Sequence, residues 1–175
     1  MHDIGKIGIP DRILLKPGPL TPAERVVMET HVNKGVVVLQ RMLGDFQLDQ
    51  LPDADVMLNV VAAHHECLDG SGYPNRLSGD AVPLEARIIA VADVFDALIS
   101  ERPYKKPLSL QASLATLARG RGTHFEPALL DCFTGIAADL YDQYGDADGD
   151  AAREELQRLL DRHFRRGLPG LAEGT

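Results

Sequence analysis

The sequence predicts an all-α domain, and three observations carry that expectation. Helix start and stop signals recur along the chain, the clearest being TPAE at 21–24. The segment LEARIIAVADVFDALIS (84–100) is long, apolar and opened by Pro83. No repeated alternation of apolar and polar residues between turn signals marks a sheet.

The elements follow in order. HDIGK at 2–6, if helical, is a short helix that Gly8 and Pro10 end. Thr21 is the N-cap of the next helix, with Pro22 at its first position and Glu24 closing a capping box; this helix runs to about Leu43, where Gly44 offers a stop. VMLNVVAAHH (56–65) is compatible with a buried helix, although its valines leave a strand open. The helix at 84–100 has Pro103 beyond its end, and further helices fit 108–118, 127–144 and 151–164. DADGD (146–150) fails the calcium-loop spacing and reads as a solvated linker. From Gly167 the chain reads as a tail. The expected organisation is a domain over 1–145, followed by linker, C-terminal helix and tail over 146–175.

Composition bounds the function. The chain has 175 residues, 45% hydrophobic and 25% charged, which suits one globular domain. A net charge of −8 argues against a nucleic-acid surface, so an anionic ligand would need a local positive site. No apolar run reaches the roughly 20 residues that span a bilayer, and no signal peptide opens the sequence. Two cysteines without a CxxC fit a reducing compartment. These features suggest a cytoplasmic protein acting on a small substrate.

The chemistry-bearing residues fall in four places. Asp93 and Asp96 are the only polar side chains between Ile88 and Ile99, three apart and near one face. Buried carboxylates need a metal or a partner; arginines or helix caps elsewhere are the alternative. His2, Asp3 and Lys6 could hold a metal and a phosphate oxygen together near the end of their helix. His31 has Gly35 one turn later, a glycine that would admit a ligand or another backbone; a lone helical histidine otherwise simply packs. The stretch HHECLDGSGYP (64–74) joins His64 and His65 to a bending loop with Gly70, Gly72 and Tyr73. On a helix adjacent residues lie about 100° apart, so two histidines sharing a pocket suit neighbouring metal ions; one core and one exposed histidine is the other outcome. Imidazoles with carboxylates suit iron, manganese or zinc, and two close ions are an established solution to phosphoester hydrolysis. His124 and His163 do not join this set.

HDIGKIGIPD, KPGPLT, His31, HHECLDGSGYP, VPLEARIIAVADVFDALIS, ERPYKKP and GTHFEP occur in that order. Together they resemble the HD-GYP family of the HD phosphohydrolase superfamily over roughly positions 1–135. The resemblance implies an all-helical HD-type bundle and a metal-dependent phosphodiesterase that converts cyclic di-GMP to pGpG or GMP. It implies two or three divalent ions, commonly iron or manganese, on His2, Asp3, His31, His64, His65 and Asp93, with Asp3 bridging. Lys6 then lies near the scissile phosphate, Arg102 and Lys105 hold nucleotide phosphates, and Gly72 and Tyr73 contact the ligand. We place Asp96 with these substrate contacts. The loop is further implied as a contact for GGDEF (diguanylate cyclase) partners, and a homodimer is compatible with the sequence.

The chain also departs from the family pattern. The family has a further histidine ligand upstream of the His-Asp pair, whereas this sequence begins immediately before His2. The expectation is a truncated member that is poorly active or unstable alone. Arg76 stands where the family loop often has glycine, and Cys67 where a longer residue is common. A catalytically silent module binding cyclic di-GMP or a GGDEF partner is the competing reading, and a mononucleotidase is a third.

Overall fold

The computed structural model describes residues 1–48, 50–51, 53–101 and 106–144. The described residues form an all-α bundle with no strand, only isolated bridges between Asp69 and Ser78 and between Arg121 and Phe125. A 3-10 turn, Ile4–Gly8, leads into α1 (Asp11–Leu14), α2 (Pro22–Glu29) and α3 (His31–Asp45). Then come α4 (Ala54–Ala63), a 3-10 turn at Gly79–Ala81, α5 (Leu84–Ile99), α6 (Leu110–Arg119) and α7 (Pro127–Tyr144). The helix expected at 151–164, the linker at 146–150 and the tail lie outside the described residues.

The capping box forms as the sequence requires. Glu24 N–H donates to Thr21 Oγ1 at 3.3 Å, and Thr21 N–H donates to Glu24 Oε2 at 2.8 Å. The single helix expected from there to Leu43 is instead two. At Thr30 the backbone N–H reaches Val27 O at 3.2 Å, and the hydroxyl donates to the same carbonyl at 2.6 Å. This local bonding tightens the last turn of α2, and His31 becomes the first residue of α3. Gly44 does not stop α3, which runs on to Asp45.

Among the described residues, three apolar clusters hold the bundle. Val91, Phe95 and Ile99 of α5 pack with Leu117 of α6, Phe125, and Leu130 and Ala137 of α7. Leu39 and Leu43 of α3 meet Ala54 and Val61 of α4. Ala63, Val82 and Ala86 bridge the two regions. Polar ties fix the helices against one another: Asn59 Nδ2 donates to Glu85 Oε1 at 2.6 Å, and Arg87 Nη1 to Glu126 Oε2 at 2.5 Å.

The N-terminal turn lies flush on α3. A Cβ on Gly5 would collide with the His31 carbonyl and the Gly35 amide, and one on Gly35 would come within 2.9 Å of Val61 Cγ1. The space at Gly35 therefore admits another backbone, one of the two occupants its sequence position allows. Lys34 Nζ donates to Gly8 O at 2.7 Å and fastens the far end of the turn. His2 and Asp3 thus stand at the N-terminal end of a 3-10 turn, not near the C-terminus of a helix, and Lys6 follows Asp3 by three residues on it.

Candidate metal centre

Four elements bring their polar residues to one place. The N-terminal turn supplies His2 and Asp3, α3 supplies His31, the end of α4 supplies His64 and His65, and α5 supplies Asp93. The α4 helix closes at Ala63, two residues earlier than its sequence suggests, with His64 as an α-like cap and His65 beyond it. Their ring centroids lie 4.1 Å apart with planes tilted by 42°. One core and one exposed histidine is therefore not the outcome.

Asp3 is the hub. Its Oδ1 faces His31 Nε2 at 3.4 Å and His64 Nε2 at 3.8 Å. Its Oδ2 faces His2 Nε2 at 3.5 Å and Lys6 Nζ at 2.5 Å. His2 Nε2 also lies 3.3 Å from Asp93 Oδ1. Two groups of candidate ligands result, Asp3 with His31, His64 and His65, and Asp3 with His2 and Asp93; within each group the ligand atoms lie within 4.8 Å of one another. Asp3 is common to both.

The orientation of the rings suits metal binding. His31 Nδ1 is 2.8 Å from Met28 O, and His64 Nδ1 is 3.0 Å from Val60 O. Each carbonyl can only accept, so Nδ1 carries the proton and Nε2 turns a lone pair into the cluster. His2 Nε2, His31 Nε2, His64 Nε2 and Asp3 Oδ1 are all buried without a hydrogen-bond partner. Four such atoms pointing at one space are costly unless something binds there, and a nitrogen-oxygen donor set suits a divalent ion. Neither group contains a cysteine.

The electrostatics agree. Burial, reinforced by the neighbouring His64 and His31, drives the His65 pKa down to about 3, and burial also lowers that of His31. Both rings are then neutral at pH 7, the ligand form. His2 is different: pairing with Asp3 and Asp93 lifts it to about 9. Burial opposes ionisation of Asp3, but His2, His64 and Lys6 outweigh it and hold the carboxyl far below the usual range. Asp93 is lowered mainly by His2.

The glycine-rich loop closes one side. A Cβ on Gly72 would strike Cys67 N and come within 2.5 Å of Glu66 Cα and His65 O, so this glycine provides space, whereas Gly70 provides a positive φ of 80°. Tyr73 stacks on His65 with centroids 4.7 Å apart, and burial keeps its phenol protonated well above neutral pH. Glu66 does not join its neighbouring histidines at the cluster. Its buried carboxylate accepts from Asn75 N–H at 2.7 Å and Leu77 N–H at 3.0 Å, a role the motif HHE gives no hint of beyond an acid beside an apolar run.

Asp96 stands apart from the cluster, and so does His124, as its sequence position suggests. Asp96 is exposed, accepts from Ser100 Oγ at 3.3 Å, and borders an apolar groove with Phe95, Phe133 and Tyr144. His124 stacks on Phe125 at 4.1 Å, away from the ligands. Arg102, Lys105 and His163 lie outside the described residues.

An HD-domain family model matches residues 1–129, and the chain belongs to that family. Within it, motif order and relatives place the chain in the HD-GYP branch. It is 49% identical over 131 residues to a cyclic di-GMP phosphodiesterase response regulator of Xanthomonas campestris, covering 75% of this chain and 33% of that protein. It is 45% identical over 131 residues to a 3′3′-cGAMP-specific phosphodiesterase of Vibrio cholerae, covering 75% and 24%. A cyclic di-GMP phosphodiesterase of Thermotoga maritima is 40% identical over 144 residues, covering 82% and 37%. The chain thus spans about a quarter to a third of the length of the curated relatives it matches. No helix among the described residues is long and apolar enough to cross a membrane.

Proposed function

We propose that this chain is the catalytic unit of a metal-dependent phosphodiesterase that hydrolyses cyclic di-GMP to pGpG, GMP or both. The observation that carries the reading is Asp3, whose two oxygens face two different groups of candidate ligands. His2, His31, His64, His65 and Asp93 complete the ligand set. Ions bound there would supply Lewis acidity and a water of lowered pKa. Imidazole and carboxylate donors suit iron, manganese or zinc, and the resemblance to the HD-GYP family makes iron or manganese the favoured choice.

The chain's own residues have distinct tasks in this reading. Lys6 Nζ, beside Asp3 Oδ2, meets a non-bridging oxygen of the scissile phosphate and offsets its charge. Arg102 and Lys105 hold the flanking phosphate, Gly72 and Tyr73 form a wall, and Asp96 lies on the substrate side. Residues 1–145 are the catalytic unit, with 146–175 as an appendage. The exposed positions of the glycine-rich loop would meet GGDEF partners, a homodimer is the assembly to look for, and the cytoplasm keeps Cys67 and Cys132 reduced. The convergence of His31, His64 and His65 on Asp3 supports an enzyme over a silent binding module.

The test is anaerobic incubation of the full chain with cyclic di-GMP and ferrous iron or manganese, resolving pGpG and GMP by chromatography. We expect product from the wild type and a loss of more than about 100-fold in Asp3→Ala, with fewer ions bound by elemental analysis. A folded, metal-loaded wild type that forms no product would overturn the enzyme reading.

A further inference from the structure

A cavity of about 460 Å³ lies between the α2–α3 junction and the glycine-rich loop. Its size is within the range of small-molecule sites, and Glu29, Asn33, Tyr73 and Arg76 are among its lining residues. It adjoins the candidate metal centre on two sides. Thr30 on its wall directly precedes His31, and Tyr73 is the ring stacked on His65. A nucleotide whose phosphate met Lys6 at this centre would have the cavity beside it for a base.

We infer that the cavity is a guanine-recognition pocket, with the Glu29 carboxylate reading the N1–H and N2–H edge and the Arg76 guanidinium reading O6 and N7. The inference rests on the phosphodiesterase reading for its substrate class and adds the residues that select the base.

Two observations beyond the cavity support it. Glu29 ends α2, and among the described residues its ion-pair partner, Arg25 Nη1, stays 3.9 Å from Oε1, outside hydrogen-bond distance. The carboxylate therefore keeps acceptor capacity for a ligand. Arg76 has a φ of 55°, a left-handed conformation uncommon for a residue with a side chain. The surroundings impose it: buried Glu66 grips the amides of Asn75 and Leu77, on either side of Arg76. Strain held in place by a buried clamp is a feature of ligand-binding sites. Here it sets a guanidinium at the cavity, and a guanidinium pairs bidentately with guanine O6 and N7.

The chemistry discriminates between purines. Guanine offers two N–H donors to a carboxylate and two acceptors to a guanidinium. Adenine turns the acceptor N1 toward the carboxylate and has no O6, so both charged groups lose partners.

The test reads binding without turnover. The full chain in EDTA is titrated by equilibrium dialysis with labelled cyclic di-GMP, cyclic GMP-AMP and cyclic di-AMP. One pocket needs one guanine, so the first two should bind within about twofold of each other and the third at least about tenfold more weakly. Glu29→Gln should remove most of that difference. Arg76→Gly should do the same without risk to the fold, since glycine accepts the positive φ. Equal binding of all three, an unchanged preference in both variants, or no binding at all overturns the inference. The hydrolysis assay with metal is separate, so failure of the phosphodiesterase reading shows there independently of base preference.

Discussion

At the scale of single residues, the site depends on what is missing at Gly5 as much as on what is present at Asp3. The turn bearing His2 and Asp3 can reach His31 only because position 5 has no side chain between it and the α3 backbone. Gly5→Ala forces one methyl group into the His31 carbonyl, where backbone on both sides resists displacement. We expect it to lower stability by about 2 kcal/mol, the scale of overpacking in a dense interior, and to weaken metal loading at both groups together. Urea unfolding with elemental analysis checks both; a variant that keeps wild-type stability and metal content would show that the turn can lift away at no cost. The candidate ligands themselves were legible, since histidines and aspartates in an acidic chain attract attention singly and resemble a family pattern jointly. Gly5 and Glu66 were not, because a close approach and a buried clamp are relations between distant segments that residue type alone does not express.

At the scale of elements, the signals that proved readable were local ones. The Thr21–Glu24 box, Pro83 ahead of α5 and the apolar run of α7 each specify a boundary within a few residues of themselves. The break at Thr30 escaped that logic, because the apolar pattern continues across it and only the threonine hydroxyl bonding to Val27 reveals the jog. The end of α4 at Ala63 is similar: His64 remains in an α-like conformation, and its ring bonds to Val60 O and Val61 O. The loop from 66 to 78 is held from within by Glu66, so its order depends on that carboxylate. Glu66→Gln keeps the shape but offers one acceptor oxygen where two are used, leaving one buried amide facing an NH2 group. We expect faster hydrogen exchange at Asn75 and Leu77, a loss of about 1–3 kcal/mol, and little change in protection within α6. Unchanged exchange at those two amides would mean the loop is held by its other bonds, such as Gly79 N–H to Leu68 O at 2.8 Å.

At the scale of the whole molecule, the candidate ligands come from four separate segments of the chain, spread from His2 to Asp93. Ions bound there would act as a cross-link between the N-terminal turn, α3, α4 and α5, which the apolar clusters join only in parts. The unfolded chain gathers no such site, so metal binds the native state preferentially and stabilises it by mass action. At a free concentration near 100 times the dissociation constant the gain is about 2.7 kcal/mol. For a domain of this size that corresponds to a rise in Tm on the order of 5–10 °C. Thermal unfolding of the full chain in manganese and in EDTA measures it, with Asp3→Ala alongside. Because Asp3 serves both ligand groups, its loss should remove nearly all of the shift, whereas Asp93→Ala, which belongs to one group only, should leave part of it. Equal shifts in wild type and Asp3→Ala would mean that the metal stabilises the chain from somewhere else. A partial shift in Asp3→Ala matching that of Asp93→Ala would mean the two groups bind independently, without the shared carboxylate the geometry gives them.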